Sequence, residues 1–150
     1  MEAYVIATAC TKFEKKADQT FKSLTEEVYC DLLKSAKVEN GNMIGQAWFG
    51  NCGMGTFGQN NIRGQVCFTP LVQKKLFPER VGIINVEGGC ATGSMAFHGA
   101  WKDVISGTED VSLAIGVEKI YQPNQPEKIQ EIYDGGIDQF DKNEWLEFYE

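Results

Sequence analysis

Short apolar segments alternate with helix-forming segments between residues 3 and 117, and this alternation is the feature that most constrains the fold. Strand-like runs lie at 3–9, 43–51, 81–86 and 111–117, with segments of helical periodicity between them. Such an order favours right-handed crossovers and a mostly parallel sheet with helices packed on it. The sequence therefore predicts an α/β fold with the order βαβαβαβ.

Two of the helices can be delimited from local signals. Ser23 and Glu26 have the spacing of a capping box, so the first helix is expected over about 24 to 37. The second helical region runs from about 62 to 76 and contains Pro70. Because proline removes a backbone donor and clashes with the preceding turn, this region is expected to be kinked or divided into two pieces.

Composition and charge exclude several classes of protein. Hydrophobic residues make up 43% of the 150, enough for a packed core, and the net charge of −7 argues against a nucleic-acid partner or an anionic membrane surface. No apolar run approaches the roughly 18 residues needed to span a membrane, and the N-terminus does not resemble a signal peptide. We therefore expect a cytoplasmic protein with no membrane partner.

The five cysteines show no metal-binding spacing. They occur without a CxxC pair and at wide intervals, so no metal site is expected and the thiols are expected to be reduced. Most cysteines in that setting are small buried hydrophobes, and one needs a specific context before it is considered reactive.

Cys90 has such a context. The strand-like run 81–86 leads through Gly88 and Gly89 to Cys90, and a helix is expected to start near Ala91. The amides at a helix N-terminus stabilise a thiolate and can also hold the oxyanion of an attacked carbonyl. This geometry suits acyl transfer through a cysteine nucleophile. A buried cysteine in a glycine-rich turn is an equally good interpretation of the local pattern alone.

Two nearby side chains could affect this thiol. His98 is the only histidine, but eight residues of regular helix place it about 12 Å along the axis from Cys90, so it is expected to have a packing or surface role. Glu87 would oppose thiolate formation if it lay close to the sulfur, and it is expected to point away. No base for Cys90 is thus expected within this chain.

The residues around Cys90 carry a family resemblance. Val86–Ser94 reads VEGGCATGS, and the next strand and its end, Leu113–Lys119, read LAIGVEK. These two motifs, with the first strand and helix and the loop at Gly58, resemble the thiolases, most closely the sterol-carrier-protein type. The resemblance covers 1–120 as the N-terminal half of the thiolase core. It identifies 121–150 as the start of the inserted loop region that covers coenzyme A in that family.

The resemblance implies a fold, a site and partners. The chain would supply one half of a layered αβαβα architecture, and Cys90 would take the acyl group from an acyl-CoA, with its own N–H donating to the thioester oxygen. Coenzyme A would be a co-substrate, with no permanently bound cofactor. A histidine, a second cysteine and an asparagine or histidine would come from the C-terminal half, so this segment alone would be inactive. A homodimer would form through an edge strand at 81–86, and some members act with a zinc-ribbon/OB-fold protein.

The reaction implied is thiolytic cleavage, or the reverse Claisen condensation, of a 3-oxoacyl-CoA. Straight-chain, branched or sterol-side-chain, and aromatic acyl groups all occur in such enzymes. An alternative is a catalytically silent thiolase-like subunit that scaffolds an acyl-CoA enzyme complex. A cysteine hydrolase with a nucleophile elbow ranks last, because the glycines around Cys90 depart from the G-x-nucleophile-x-G spacing.

Overall fold

The computed structural model describes residues 2–149, with side chains described as far as Phe148. Three parallel strands alternate with helices, and two further helices follow the last strand. Two short 3₁₀ turns, Gly53–Phe57 and Gly89–Ala91, follow the first and second strands. The regular elements in chain order are α1 (Phe21–Ala36), β1 (Gln46–Gly50), α2 (Arg63–Gln73), β2 (Gly82–Val86), α3 (Thr92–Ser106), β3 (Ser112–Gly116), α4 (Lys128–Asp134) and α5 (Lys142–Tyr149).

The sheet has the order β2-β1-β3, and both pairings are parallel. In its central register Trp48 of β1 lies opposite Ile84 on one side and Ala114 on the other. The α/β class is therefore confirmed. β2 is an edge strand of the described sheet, as predicted for residues 81–86, and Ile84 is 39% exposed there.

The strand predicted at 3–9 does not form, so the described sheet has three strands instead of four. Tyr4, Val5 and Ile6 are exposed, and 3–9 borders an apolar cavity of about 370 Å³ beside β3, between α1 and α3. A terminal segment that joins the sheet as an edge strand pairs with one neighbour and so gains a single ladder of hydrogen bonds. That gain has to exceed an ordering cost of about 1–2 kcal/mol per residue. The apolar pattern indicates burial, and the described residues leave this segment uncovered.

Helix α1 begins at Phe21, three residues before the predicted start, because the cap is Thr20 and not Ser23. The Thr20 hydroxyl accepts from the Ser23 N–H at 3.1 Å, and the Ser23 hydroxyl accepts from the Thr20 N–H at 2.8 Å. The box is thus reciprocal, with serine in the place that glutamate usually takes. Ser23 was correctly identified as part of a capping box, but in the wrong position of it.

Helix α2 is one continuous helix with Pro70 inside it, so of the two predicted alternatives the division into two pieces is wrong, and the kink stays a prediction. The Pro70 carbonyl still accepts from the Lys74 N–H at 3.1 Å. Proline in a helix interior costs about 3 kcal/mol, whereas burying a large apolar side chain contributes about 1.5–3 kcal/mol. Phe68 and Leu71 are 1% and 0% exposed on either side of Pro70. Their burial outweighs the proline penalty.

The two faces of β1 contact different helices. Phe49 packs edge-on against Phe68 of α2, and Phe68 in turn packs against Tyr29 and Phe77 in an aromatic core. Trp48 points to the opposite face and lies against α3. Helix α3 leaves three large apolar side chains exposed, as expected for a helix that another layer covers: Met95, Phe97 and Trp101.

The segment after β3 contains α4 and α5, and the boundary predicted at residue 120 stays a prediction. Helix α4 contacts the 3₁₀ turn that follows β1, at Gly53 and Ile132. Within residues 2–149, no helix is both long enough and apolar enough to cross a membrane.

Candidate active site

Cys90 lies at the carboxyl edge of the parallel sheet, where ligand sites of α/β folds usually form. It sits in the 3₁₀ turn Gly89–Ala91 that joins β2 to α3, and α3 begins two residues later. The thiol-bearing residue is exposed and unpaired with any other cysteine. The expected strand, glycine turn and helix around Cys90 are therefore all present. A deeply buried cysteine, the competing interpretation, is wrong.

The turn before Cys90 requires glycine at one position and is held by a threonine. Gly89 has φ of 56°, the left-handed region that glycine adopts without strain. The buried Thr92 hydroxyl accepts from the Gly88 N–H at 2.9 Å and donates to the Gly89 carbonyl at 2.8 Å. Thr92 therefore closes the turn from the first residue of α3. No role was predicted for Thr92 from the sequence, and it is the first residue of α3 and not its cap.

A second cysteine lies beneath the same turn. The Cys52 thiol donates to the Gly89 carbonyl at 3.1 Å, and its sulfur lies 3.0 Å from the Thr92 hydroxyl. Burial raises the pKa of Cys52, the Thr92 hydrogen bond lowers it, and the charges of Glu118 and Glu87 raise it further. The net direction is upward, so Cys52 is kept as a thiol donor. Nothing in its spacing singled it out among the five cysteines.

Glu118, two residues after β3, holds the main chain at Cys52. Its carboxylate accepts from the Cys52 N–H and from the Gly53 N–H, the latter at 3.1 and 3.2 Å for its two oxygens. A Cβ at Gly53 would lie 2.8 Å from Glu118 Oε2 and 3.2 Å from Ile132 Cδ1, so glycine is needed for the close approach. Burial of this carboxylate raises the pKa of Glu118, and the two N–H donors and Arg63 oppose that rise.

Asn51 connects the ends of all three strands. Its side-chain N–H₂ donates to the Val117 carbonyl at 2.7 Å, and its side-chain oxygen accepts from the Met54 N–H at 2.9 Å. Its main-chain N–H donates to the Val86 carbonyl at 3.3 Å, and Arg63 donates to its carbonyl at 2.5 Å. Asn51 is 1% exposed, and its buried side-chain amide and main-chain groups are hydrogen-bonded to all three strand ends. We call this hydrogen-bonded group around Asn51 the polar floor of the site.

The other two residues considered from sequence lie as follows. Glu87 folds back onto the turn, where its carboxylate accepts from the Gly89 N–H at 2.7 Å, and its orientation away from the Cys90 sulfur stays a prediction. A tight turn leaves amides unpaired, and the nearest carboxylate satisfies one of them. His98 is exposed and stacks on Trp101 with 5.4 Å between ring centroids, which confirms its packing and surface role.

The apolar cavity beside β3 is not at this site. The apolar cavity of about 370 Å³ is lined by 3–9, α1, α3 and β3, and neither Cys90 nor Cys52 borders it. Cys90 is instead exposed to solvent. The chain contributes a turn that exposes Cys90 and the residues that support this turn.

Comparison with known proteins identifies the family. The sequence model described as "Thiolase, N-terminal domain" matches residues 3–142. Benzoylsuccinyl-CoA thiolase subunit BbsB of Thauera aromatica is 32% identical over 117 residues, which are 78% of this chain and 28% of that protein. Acetyl-CoA acetyltransferase of Methanocaldococcus jannaschii is also 32% identical over 117 residues, 77% of this chain and 28% of that protein.

The chain thus matches only about a quarter of the length of these curated relatives. The matched region contains the βα units and the turn that carries Cys90. With a family match over most of its length and the expected α/β architecture, the chain belongs to the thiolase family and corresponds to its N-terminal domain.

Proposed function

We propose that this chain, completed by a C-terminal half, is a thiolase-type acyltransferase in which Cys90 carries the acyl group. The observation that supports the proposal most directly is the exposed Cys90, presented on a glycine turn at the carboxyl edge of the sheet, immediately before α3. The names of both relatives support an acyl-CoA as substrate and coenzyme A as the thiol co-substrate. No permanently bound cofactor is proposed.

In the cleavage direction, the Cys90 sulfur attacks the 3-oxo carbon of a 3-oxoacyl-CoA. The carbonyl electrons move to oxygen, and N–H groups around the turn, including that of Cys90, donate hydrogen bonds to this oxyanion. The C2–C3 bond then breaks, its electron pair goes to C2, and a proton there gives acetyl-CoA. The coenzyme A sulfur next attacks the acyl carbon, the bond from that carbon to Cys90 Sγ breaks, acyl-CoA leaves, and the Cys90 sulfur takes up the proton that the coenzyme A thiol lost. Claisen condensation is the same sequence reversed.

Proton transfers in these steps need an acid and a base from outside residues 1–150. His98 is on the surface and stacked on Trp101, so it does not serve Cys90. The exposed apolar side of α3 is where we place the C-terminal half, and there the missing histidine and cysteine would reach the sulfur. The exposed edge at β2 supports a homodimer with antiparallel pairing across it. The cytoplasm is the proposed compartment.

The acyl group is proposed to be aromatic or branched, because one relative is named for benzoylsuccinyl-CoA. The other is named for acetyl-CoA, which makes a short straight chain the comparison substrate. A zinc-ribbon/OB-fold protein is a further partner to test by co-purification.

Mass spectrometry after exposure to acyl-CoA tests the proposal. The chain, together with its C-terminal half, is incubated with acetyl-CoA or an aromatic acyl-CoA and digested. We expect a thioester adduct on Cys90 that disappears when coenzyme A is added, and no adduct in Cys90→Ala. The matched control is Cys10→Ala, which removes another exposed thiol. An adduct elsewhere, or none, refutes the proposal and leaves the silent scaffold subunit as the better description.

A further inference from the structure

We propose that Glu118 is a positioning residue for Cys90, acting through the thiol of Cys52. Glu118 fixes the main chain at residues 52 and 53, and Cys52 then holds the carbonyl of Gly89, the residue bonded to Cys90. The inference rests on the proposed function, since it assigns Glu118 and Cys52 a part in presenting the acyl-accepting sulfur.

The first step is the contact between Glu118 and the turn after β1. One carboxylate accepts two consecutive main-chain N–H groups, from Cys52 and Gly53, which are separated from it by 66 and 65 residues in the chain. Hydrogen bonds to an ionised acceptor are about twice as strong as neutral ones. Glu118 therefore ties the end of β3 to the turn that follows β1, at the two neighbouring strand ends.

The second step is the contact between Cys52 and the turn after β2. The Cys52 thiol donates to the Gly89 carbonyl at 3.1 Å, and the Thr92 hydroxyl donates to the same carbonyl at 2.8 Å. The orientation of the Gly89–Cys90 peptide is thus fixed by two donors from two elements. Because this peptide carries the Cys90 N–H, its orientation also sets where an oxyanion beside the sulfur would be held.

Burial, and after it the charges of Glu118 and Glu87, keep Cys52 in the donor form. The charges of Arg63 and Glu87 act in opposite directions on the pKa of Glu118, and the charges of both acids raise the pKa of Cys52. Negative charge on Glu118 or Glu87 opposes ionisation of the Cys52 thiol, which then keeps its proton for the Gly89 carbonyl. If Glu118 only capped the N–H groups of residues 52 and 53, the protonation of the Cys52 thiol would not matter. The hydrogen bond from Cys52 to the Gly89 carbonyl requires that proton.

Two variant series on the full chain test this inference. In the first, Glu118→Ala removes both acceptor oxygens and Glu118→Gln keeps one, with Glu79→Gln as a control on an exposed glutamate before β2. In the second, Cys52→Ala removes the donor and Cys52→Ser restores one. Amide hydrogen exchange reports the turn at 52 and 53. Alkylation by iodoacetamide, followed by peptide mass spectrometry, reports Cys90, with exposed Cys10 as an internal reference.

We expect exchange at residues 52 and 53 to be about tenfold faster or more in Glu118→Ala, with a smaller increase in Glu118→Gln. Alkylation of Cys90 relative to Cys10 is expected to slow about threefold or more in Glu118→Ala and Cys52→Ala, and to return to within about twofold of the unmodified chain in Cys52→Ser. Unchanged exchange, or unchanged Cys90 alkylation in Cys52→Ala, overturns the inference.

If Glu118→Ala does not fold, the Glu118→Gln variant and the Cys52 pair still decide the outcome. Faster exchange with unchanged Cys90 alkylation would show a purely structural role for Glu118 and also overturn the inference. Alkylation needs no acyl-CoA, so this experiment tests the positioning role even if the proposed acyl transfer fails. In the same way, the acyl adduct on Cys90 tests the acyl transfer even if the positioning role of Glu118 fails.

Discussion

Helix α3, which begins beside Cys90, packs against Trp48 of the sheet at Gly99. The substitution Gly99→Ala tests how much stability this close packing contributes. A Cβ at Gly99 would lie 2.3 Å from Trp48 Cδ2 and within 2.6 Å of two more indole atoms. The indole cannot move freely, because its N–H donates to Asp103 at 2.7 Å and Asp103 also accepts from the Ser112 hydroxyl at 2.7 Å. In this substitution, the gain in helix propensity is therefore set directly against the loss of packing.

The expected magnitude follows from three contributions. Alanine is favoured over glycine in a helix interior by about 1 kcal/mol. Overpacking costs about 1–3 kcal/mol, and losing a hydrogen bond to a charged group costs about 1.5–3 kcal/mol. Since Trp48 is only half-buried, the lower part of these ranges applies, and the free energy of unfolding should fall by about 2 kcal/mol. Packing is expected to outweigh propensity.

Urea unfolding followed by circular dichroism measures the change. The matched control is Gly93→Ala in the first turn of the same helix, where a Cβ would meet nothing within 4 Å. We expect it to be neutral or stabilising by up to about 1 kcal/mol. The double variant Gly99→Ala with Trp48→Leu should lose less stability than the sum of the singles, since the clash is gone. Gly99→Ala as stable as the unmodified chain would refute the reasoning.

Two further predictions concern the polar supports of the site. Because burial raises the pKa of Glu118 above its ordinary value of 4.5, the folded chain binds more protons there than the unfolded chain. The unfolding free energy of the unmodified chain minus that of Glu118→Gln should therefore fall as pH rises from 4.5 towards the raised pKa. Urea titrations at several pH values measure this difference, and a difference that stays flat or rises with pH would contradict the prediction. Asn51→Leu leaves the Val117 carbonyl and the Met54 N–H without their partner, so it should cost about 2–4 kcal/mol in urea unfolding. The surface change Asn42→Leu should stay within about 0.5 kcal/mol, and equal effects of the two would be evidence against the polar floor.

Several features followed from the sequence because their causes are local. The three observed strands and three core helices lie where apolar runs and helical periodicity predicted them. Gly107 has φ of 74° and ends α3 as a left-handed cap, as glycine at a helix end predicts. Cys90 was placed at the junction of β2 and α3 from the glycines that precede it. Each of these depends on a few neighbouring residues, which a single sequence displays directly.

The errors arose where burial decided the outcome. An apolar run at 3–9 indicates that the chain favours burial there, but strand pairing needs cover that the described residues do not provide. Pro70 indicates a break, yet the burial of Phe68 and Leu71 keeps α2 in one piece. Local propensities are worth a few kcal/mol, and tertiary packing of the same size can reverse them.

By itself, then, the sequence determined the order of the three strands and three helices between residues 21 and 116, and the one cysteine held at the start of a helix. Only the tertiary structure brought Cys52 and Glu118 to that cysteine, over 37 residues from Cys52 to Gly89 and 66 from Cys52 to Glu118. The physical reason is that parallel strands end at one edge of the sheet, so residues far apart in the chain meet there. Periodicity shows where each strand ends, but not which strands are neighbours.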